Sequence, residues 1–398
     1  MLKLADRMGR AKPSAIMVVA DKAKKLKAEG RDIISFSIGV PNFLPGDHVY
    51  QAASAALAKD SGSYGSNRGP DALLDAFIKH LDEGGLTGYT RANIATGIGA
   101  KQVLFNVMYA LLEEGDEILI PTPYWTSYVD IADILGAKSE LIYCSPEQDY
   151  KLTPAQLRVA IKPTTKAILF NNPSNPTGMV YDEAEIKALA DVLVEHQIWI
   201  ISDDIYNRMI FDDMGYAHLL KARPELRDRL ILIDSLSKTY GMPGWRLGFV
   251  AGPEALAQAI VTLNSNHITN VAEVVNAAGT AALSGPQDLP AAKCKEFQHK
   301  RDEVMKTMNS IVGLKCPLPR GAFYVFPDVS VAFGKSHRDT KISNDVDLCS
   351  ALLDSKGVAV VPGSAFGEPR AIRISYSCKP AELSEGLRRF AEFFAELS

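Results

Sequence analysis

Apolar residues in the middle of the chain come in short runs bounded by Pro, Gly or Asn, with amphipathic stretches between them. Residues 117–120 form one run, stopped by Pro121 and Pro123, and residues 167–170 another, ending in Asn171, Asn172 and Pro173. Residues 198–202, 230–233 and 247–251 repeat the pattern. Runs this short, with no polar alternation, predict strands covered on both faces. Residues 100–112 are apolar on nearly every side and predict a buried helix. Asp182 with Glu185 three residues on predicts a capping box, and Ile186, Leu189, Ala190, Leu193 and Val194 follow at helical spacing. Strands alternating with helices indicate an α/β fold with a largely parallel sheet.

The pattern changes across residues 283–290, where Ser, Gly and Pro cluster. Beyond it, residues 322–326, 358–361 and 371–375 read as strands and 380–397 as a closing amphipathic helix. The expected division is a large domain over 48–285 and a smaller α+β domain over 286–398. Residues 1–47 are too few for a domain and are expected to pack on the small one. No internal repeat or low-complexity segment interrupts this order.

A chain of 398 residues with 47% hydrophobic content is long enough for two unequal cores. The formal charge of -4 leaves no basic excess to neutralise phosphates, which argues against nucleic acid as a partner. Cys144, Cys294, Cys316, Cys349 and Cys378 are odd in number and scattered, so buried free thiols in a reducing compartment are expected. The histidines, among them His48, His80, His196 and His218, show no ligand spacing, and no metal site is expected. Neither a signal-peptide stretch nor an apolar run near the ~18 residues of a membrane span is present. The expected location is the cytoplasm, with no membrane contact.

Three polar clusters each follow an apolar strand: residues 172–178 (Asn-Pro-Ser-Asn-Pro-Thr-Gly), Asp203 with Tyr206, and Ser235-Leu236-Ser237-Lys238. In an open parallel sheet the strand carboxyl ends share one edge, where ligands bind. Asn175, Asp203, Tyr206, Ser235 and Lys238 would then converge. An amine, a carboxylate, a phenol, an amide and small hydroxyls together suit a phosphorylated aromatic aldehyde. Lysine forms the imine, and a carboxylate keeps the ring nitrogen protonated so that the ring draws electrons from the substrate. Gly97-Ile98-Gly99-Ala100-Lys101 offers a helix start where a phosphate can approach the backbone. Arg246 is a candidate phosphate ligand, and Trp125 a candidate to stack on the ring. Gly97-x-Gly99 is a poor dinucleotide fingerprint, because Gln102 occupies the third glycine position and the preceding segment makes a poor first strand.

Residues 235–248 (Ser-Leu-Ser-Lys-Thr-Tyr-Gly-Met-Pro-Gly-Trp-Arg-Leu-Gly) resemble the cofactor-lysine signature of the class I and II aminotransferases. Residues 172–178 resemble their Asn-Pro-x-Asn-Pro-Thr-Gly motif, and Ser202-Asp203-Asp204-Ile205-Tyr206 their Asp-Glu-x-Tyr motif. With Lys-Pro-Ser at 12–14 and Gly-Ala-Lys-Gln at 99–102, the chain is similar end to end to bacterial aspartate aminotransferases of the type-Ib subgroup. The resemblance implies the fold-type I architecture, a mostly parallel seven-stranded sheet between helices plus a smaller α+β domain. It also implies pyridoxal 5'-phosphate as cofactor, an amino acid and a 2-oxo acid as substrates, and a homodimer with shared active sites. Lys238 becomes the Schiff-base lysine and proton shuttle, Asp203 the partner of the pyridine nitrogen, and Tyr206 and Asn175 contacts of the ring oxygen. Gly99, Ala100, Ser235 and Arg246 hold phosphate, with Lys101 and Ser237 in the same cofactor-binding set, and Trp125 stacks on the ring. Tyr64 reaches the phosphate of the other subunit. Arg373 clamps the substrate α-carboxylate, with Gly39, Asn175 and Trp125 lining that site.

Arg10, Ser14 and Lys101 match positions that shape the distal pocket in the subgroup, so Arg10 and Lys101 are candidates for a second carboxylate, as in aspartate or glutamate. The sequence departs from the subgroup at Ile16, where threonine is common, at Val40, where glutamate is common, and across residues 263–270. An aromatic, alanine-type or prephenate aminotransferase therefore stays open, as does a β-lyase on the same cofactor. A cofactor-binding transcriptional regulator would need a DNA-binding module ahead of residue 12.

Overall fold

The computed structural model describes residues 3–59 and 62–398; the first two residues of the 1–47 segment lie outside them. Seven strands build the central sheet: β1 (Ile94–Gly97), β2 (Glu117–Thr122), β3 (Lys138–Tyr143), β4 (Thr165–Asn171), β5 (Trp199–Asp203), β6 (Leu230–Ser235) and β7 (Gly248–Ala251). Their spatial order is β1-β7-β6-β5-β4-β2-β3. β7 runs antiparallel to both its neighbours, and the remaining pairs are parallel.

Side chains alternate across the pleat, so each strand feeds two cores. Ile168, Ile200, Leu230, Leu232 and Phe249 face a layer with helices Asp71–Glu83, Glu183–Val194 and Glu273–Ser284. Leu169, Ile201, Ile231, Ile233 and Val250 face the opposite layer, with helices Ala100–Leu111, Ser127–Leu135 and Glu254–His267. Both faces are apolar, which is why the central strands show no polar alternation. Asp182 accepts from the backbone N–H of Glu185 at 2.8 Å and the Glu185 carboxylate returns the bond at 2.9 Å, so the capping box forms as its spacing predicts.

A further core gathers Phe36, Phe43, Phe297, Val304, Phe323, Tyr324, Leu352, Ile374, Leu387 and Phe390. Ile34–Ser35 pairs in parallel with Val358–Ala359, and Val361–Pro362, Ile372–Ser375 and Tyr324–Val325 form a three-stranded antiparallel sheet. Helices Asp288–Ser310 and Pro380–Ala395 cover it. Tyr206, Met209 and Phe211, from the loop after β5, enter the same core.

Three expectations need correction. β2 continues through Pro121 to Thr122, because its pairing with β4 ends at Leu119 and Pro121 has no ladder partner to satisfy on that side. The segment before Gly97 is a strand after all; at the sheet edge, paired only with the antiparallel β7, β1 needs just four residues. The run 358–361 splits into two short strands with different partners. Two of the thiols, Cys144 and Cys349, are buried, while Cys294, Cys316 and Cys378 are half-buried; all five are free. Among the described residues, no helix is long and apolar enough to cross a membrane.

The central sheet and the further core are joined beside the strand ends at Gly178. Its carbonyl accepts from the N–H groups of Arg320 and Gly321, each at 3.0 Å. Its φ of +70° and the 2.6 Å from a built Cβ to both Pro319 Cβ and the Tyr324 carbonyl leave room only for glycine. Gly178→Ala is expected to lower the thermal midpoint by at least about 2 °C; an unchanged midpoint would contradict this packing.

Candidate active site

β4, β5 and β6 are adjacent and parallel, so Asn171, Asp203 and Ser235, their last residues, emerge side by side. The helix Ala100–Leu111 starts opposite them, and Ile372–Ser375 approaches from the core outside the central sheet. Between these elements lies a cavity of about 240 Å³. Of the residues singled out in the sequence, Ser14, Gly39, Ala100, Lys101, Trp125, Asn175, Asp203, Tyr206, Ser235, Ser237, Lys238, Arg246 and Arg373 all line it.

The charges around the cavity do not balance. Lys101, Lys238, Arg246 and Arg373 face it, against the single carboxylate of Asp203. None of the four cations has a carboxylate within ion-pair distance among the described residues. Arg373 is 1% exposed. It donates to the Asn175 side-chain oxygen at 3.0 Å and the Ser37 carbonyl at 2.5 Å, and its Nε has no partner among the described residues. Its guanidinium lies 4.8 Å from the ring centre of Tyr324 and 4.9 Å from that of Phe366, which fixes its plane. A buried guanidinium without a counter-ion costs several kcal/mol, so this geometry favours an anionic ligand.

Lys238 donates to the Gly39 carbonyl at 2.6 Å. Burial, with Arg373 second, pushes its amine down to about 8, so the neutral nucleophile is available well below the usual lysine range. Asp203 accepts from the Tyr128 hydroxyl at 2.7 Å, and its own β5 carbonyl accepts from Asn171 at 2.8 Å. Burial raises the Asp203 carboxyl to about 7 despite the Tyr128 hydrogen bond, and a nearby positive group would lower it again. Tyr206 lies beneath the Lys238 amine, with its hydroxyl 2.8 Å from that of Tyr324.

Gly99 precedes the helix Ala100–Leu111 with φ +88°, and a Cβ there would collide with the Arg246 guanidinium. Arg246 is itself left-handed at φ 57° and is turned inward, donating to the carbonyls of Pro243 at 2.9 Å and Ile98 at 3.2 Å. Helix N–H groups at Ala100 and Lys101, the Arg246 guanidinium, which has no carboxylate partner among the described residues, and the Ser235 and Ser237 hydroxyls make an anion cradle. These features fit pyridoxal 5'-phosphate: a cradle for phosphate, an acid for the ring nitrogen, an amine for the aldehyde and a separate arginine for a carboxylate.

Two predicted site residues stand elsewhere. Arg10 is drawn off the cavity towards Glu114 at 3.5 Å and the Ile134 carbonyl at 3.3 Å. Tyr64 is 88% exposed and lines no part of its own chain's cavity. Tyr128, Asn171, Ile205, Met17, Pro243 and Tyr324 line the cavity although the sequence reading passed over them. Tyr128 was within reach, three positions after Trp125 at the start of one helix. Tyr324 gave no local signal, because its contact with Tyr206 spans 118 residues. Among the described residues no group of three His, Cys, Asp or Glu side chains is placed to hold a metal ion.

Comparison with known proteins agrees with this geometry. The family described as aminotransferase class I and II matches residues 31–390. An aspartate/prephenate aminotransferase of Cereibacter sphaeroides is 41% identical over the full length of both chains. An aspartate aminotransferase of Rhizobium meliloti is 39% identical, covering 99% of this chain and 97% of the relative. A crystal structure of the aspartate aminotransferase from Rhizobium meliloti superposes with a TM-score of 0.96 at 38% identity, covering both chains completely. The chain thus belongs to the class I and II aminotransferases, fold-type I enzymes that use pyridoxal 5'-phosphate to transfer amino groups.

Proposed function

We propose that the amino donor carries a second carboxylate, as aspartate and glutamate do, and that the residues lining the cavity divide the reaction as follows. When bound, pyridoxal 5'-phosphate supplies the electron-withdrawing ring that makes the substrate α-proton removable. Lys238 provides the amine that holds the cofactor aldehyde and, once released by substrate, moves the α-proton. Asp203, oriented by Tyr128, faces the ring nitrogen and keeps it protonated. Tyr206 and Asn175 donate to the ring oxygen, and Trp125 covers the ring. Gly99, Ala100, the backbone N–H of Lys101, Ser235, Ser237 and Arg246 surround the phosphate, joined by Tyr64 from a second copy of the chain in a homodimer. Arg373, beside Gly39, takes the α-carboxylate of amino acid and 2-oxo acid alike. The observation that carries this reading is the buried Arg373 guanidinium, which has no counter-ion among the described residues and faces the same cavity as Lys238 and Asp203.

Lys101 is the candidate for the second carboxylate. Its amine sits 4.8 Å over the Trp125 ring at the cavity wall, where burial lowers its pKa. Arg10, engaged by Glu114, leaves that role to Lys101. Relatives named aspartate and aspartate/prephenate aminotransferases support the choice. We also propose the division into 1–47, 48–285 and 286–398, and a cytoplasmic location.

Lys238→Ala is expected to lose the yellow, borohydride-reducible cofactor and at least ~10²–10⁴-fold in turnover, the span of general-base transfer alone. Normal transamination by that variant would refute the assignment. Capture of pyridoxal phosphate by the cofactor-free protein should accelerate as pH rises through about 8, because deprotonation creates the nucleophile and burial lowers its pKa to that value. Stopped-flow absorbance measures this; acceleration only near the usual lysine range would contradict a dry amine. Lys101→Ala should raise KM for aspartate about tenfold or more while leaving phenylalanine nearly unchanged, as expected for a lost charge-assisted hydrogen bond. Steady-state kinetics with both donors would show an equal loss if Lys101 has no distal role.

A further inference from the structure

Tyr324 belongs to the three-stranded antiparallel sheet outside the central one, yet it touches three parts of the cavity. It is 1% exposed. Its hydroxyl lies 2.8 Å from that of Tyr206, and its ring lies 4.8 Å below the Arg373 guanidinium. Its hydroxyl also fills the space that a Cβ at Gly39 would need, so residue 39 must be glycine for the phenol to reach Tyr206. That same Gly39 offers its carbonyl to Lys238.

The direction of the hydrogen bond between the phenols follows from the roles proposed above, on which this inference rests. If Tyr206 donates its hydrogen to the cofactor ring oxygen, the hydrogen between the two phenols comes from Tyr324. Among the described residues the Tyr324 hydroxyl has no other partner. A phenol that accepts a hydrogen bond becomes a stronger donor, because each bond polarises the next.

We propose that Tyr324 is a positioning residue with two separable actions: its hydroxyl strengthens the donor bond from Tyr206 to the cofactor ring oxygen, and its ring face holds Arg373 in the plane that receives the substrate carboxylate. The charged and titratable groups facing Tyr206 are Asp203 on its own segment, Tyr128, Tyr324 and Arg373 from packed elements, and the Lys238 amine. Of these, only Tyr324 hydrogen-bonds the Tyr206 oxygen.

The two actions come apart by substitution. Tyr324→Phe keeps the ring and removes the hydroxyl; Tyr324→Leu removes both. Each holoenzyme is titrated with pH by the absorbance of its bound cofactor, and each is titrated with succinate, a carboxylate that cannot react. Donation to the ring oxygen favours its charged form, so weaker donation retains the proton to higher pH. Tyr324→Phe should therefore raise the absorbance midpoint by about half a pH unit, a fraction of one hydrogen bond, and bind succinate as the parent does. Tyr324→Leu should raise the midpoint similarly and weaken succinate binding roughly tenfold, the scale of a desolvated cation–π contact. Tyr206→Phe serves as the reference and should raise the midpoint further. A Tyr324→Phe midpoint equal to the parent's, with Tyr206→Phe shifted, would overturn the role of the hydroxyl while leaving the Tyr206 assignment standing. If neither variant moved the midpoint, the Tyr206 assignment would fall with it. Unaltered succinate binding by Tyr324→Leu would overturn the role of the ring, and if the leucine variant does not fold, Tyr324→Met, of similar reach but without a π face, takes its place in the same titration.

Discussion

Four cationic side chains and one carboxylate share one cavity, with Arg373 and Asp203 buried at its floor and Lys101 and Arg246 at its exposed side, and this imbalance shapes the site. Left uncompensated, such charges would be expelled or neutralised. The Lys238 amine responds by giving up its proton more readily, with burial as the main cause and the neighbouring Arg373 next. The Asp203 carboxyl responds in the opposite sense, holding its proton to higher pH. Burial is the main cause of both shifts, and a ligand carrying a phosphate, a protonated ring nitrogen and a substrate carboxylate would relieve both.

The fold delivers these groups by means that a short peptide cannot. Parallel neighbours β4, β5 and β6 set Asn171, Asp203 and Ser235 at one edge, because parallel strands end together. Absent side chains matter as much as present ones. Gly99 admits the Arg246 guanidinium, Gly39 admits the Tyr324 hydroxyl, and Gly178 admits the chain between Pro319 and Tyr324. Each is a close approach that one methyl group would block, and each lies where separate layers meet.

Much of this was legible in the chain. Apolar runs located the interior strands because both their faces are covered, and the Asp182–Glu185 box marked its helix because capping is local. Lys238, Asp203, Asn175 and Arg246 stood out because each sits in a contiguous motif after a strand. Edge strand β3 was harder, since it is half-exposed and its pattern is weak, and β1, though buried throughout, is only four residues long with Thr96 and Gly97 at its end. Tyr324 carried no local mark at all; its meaning depends on Tyr206, Gly39 and Arg373, which only the folded chain brings near. Arg10 shows the converse. Its position matched a family pattern, but Glu114 and the Ile134 carbonyl offer it nearer partners than the cavity does.

The central claim is that one particular amine, made nucleophilic by its dry and positively charged surroundings, carries the cofactor. Borohydride reduction of the holoenzyme, followed by proteolysis and mass spectrometry, tests it most directly. The account predicts a pyridoxyl group on the peptide containing Lys238 and on no other lysine. A label at Lys101 or elsewhere, with Lys238 unmodified, would contradict it.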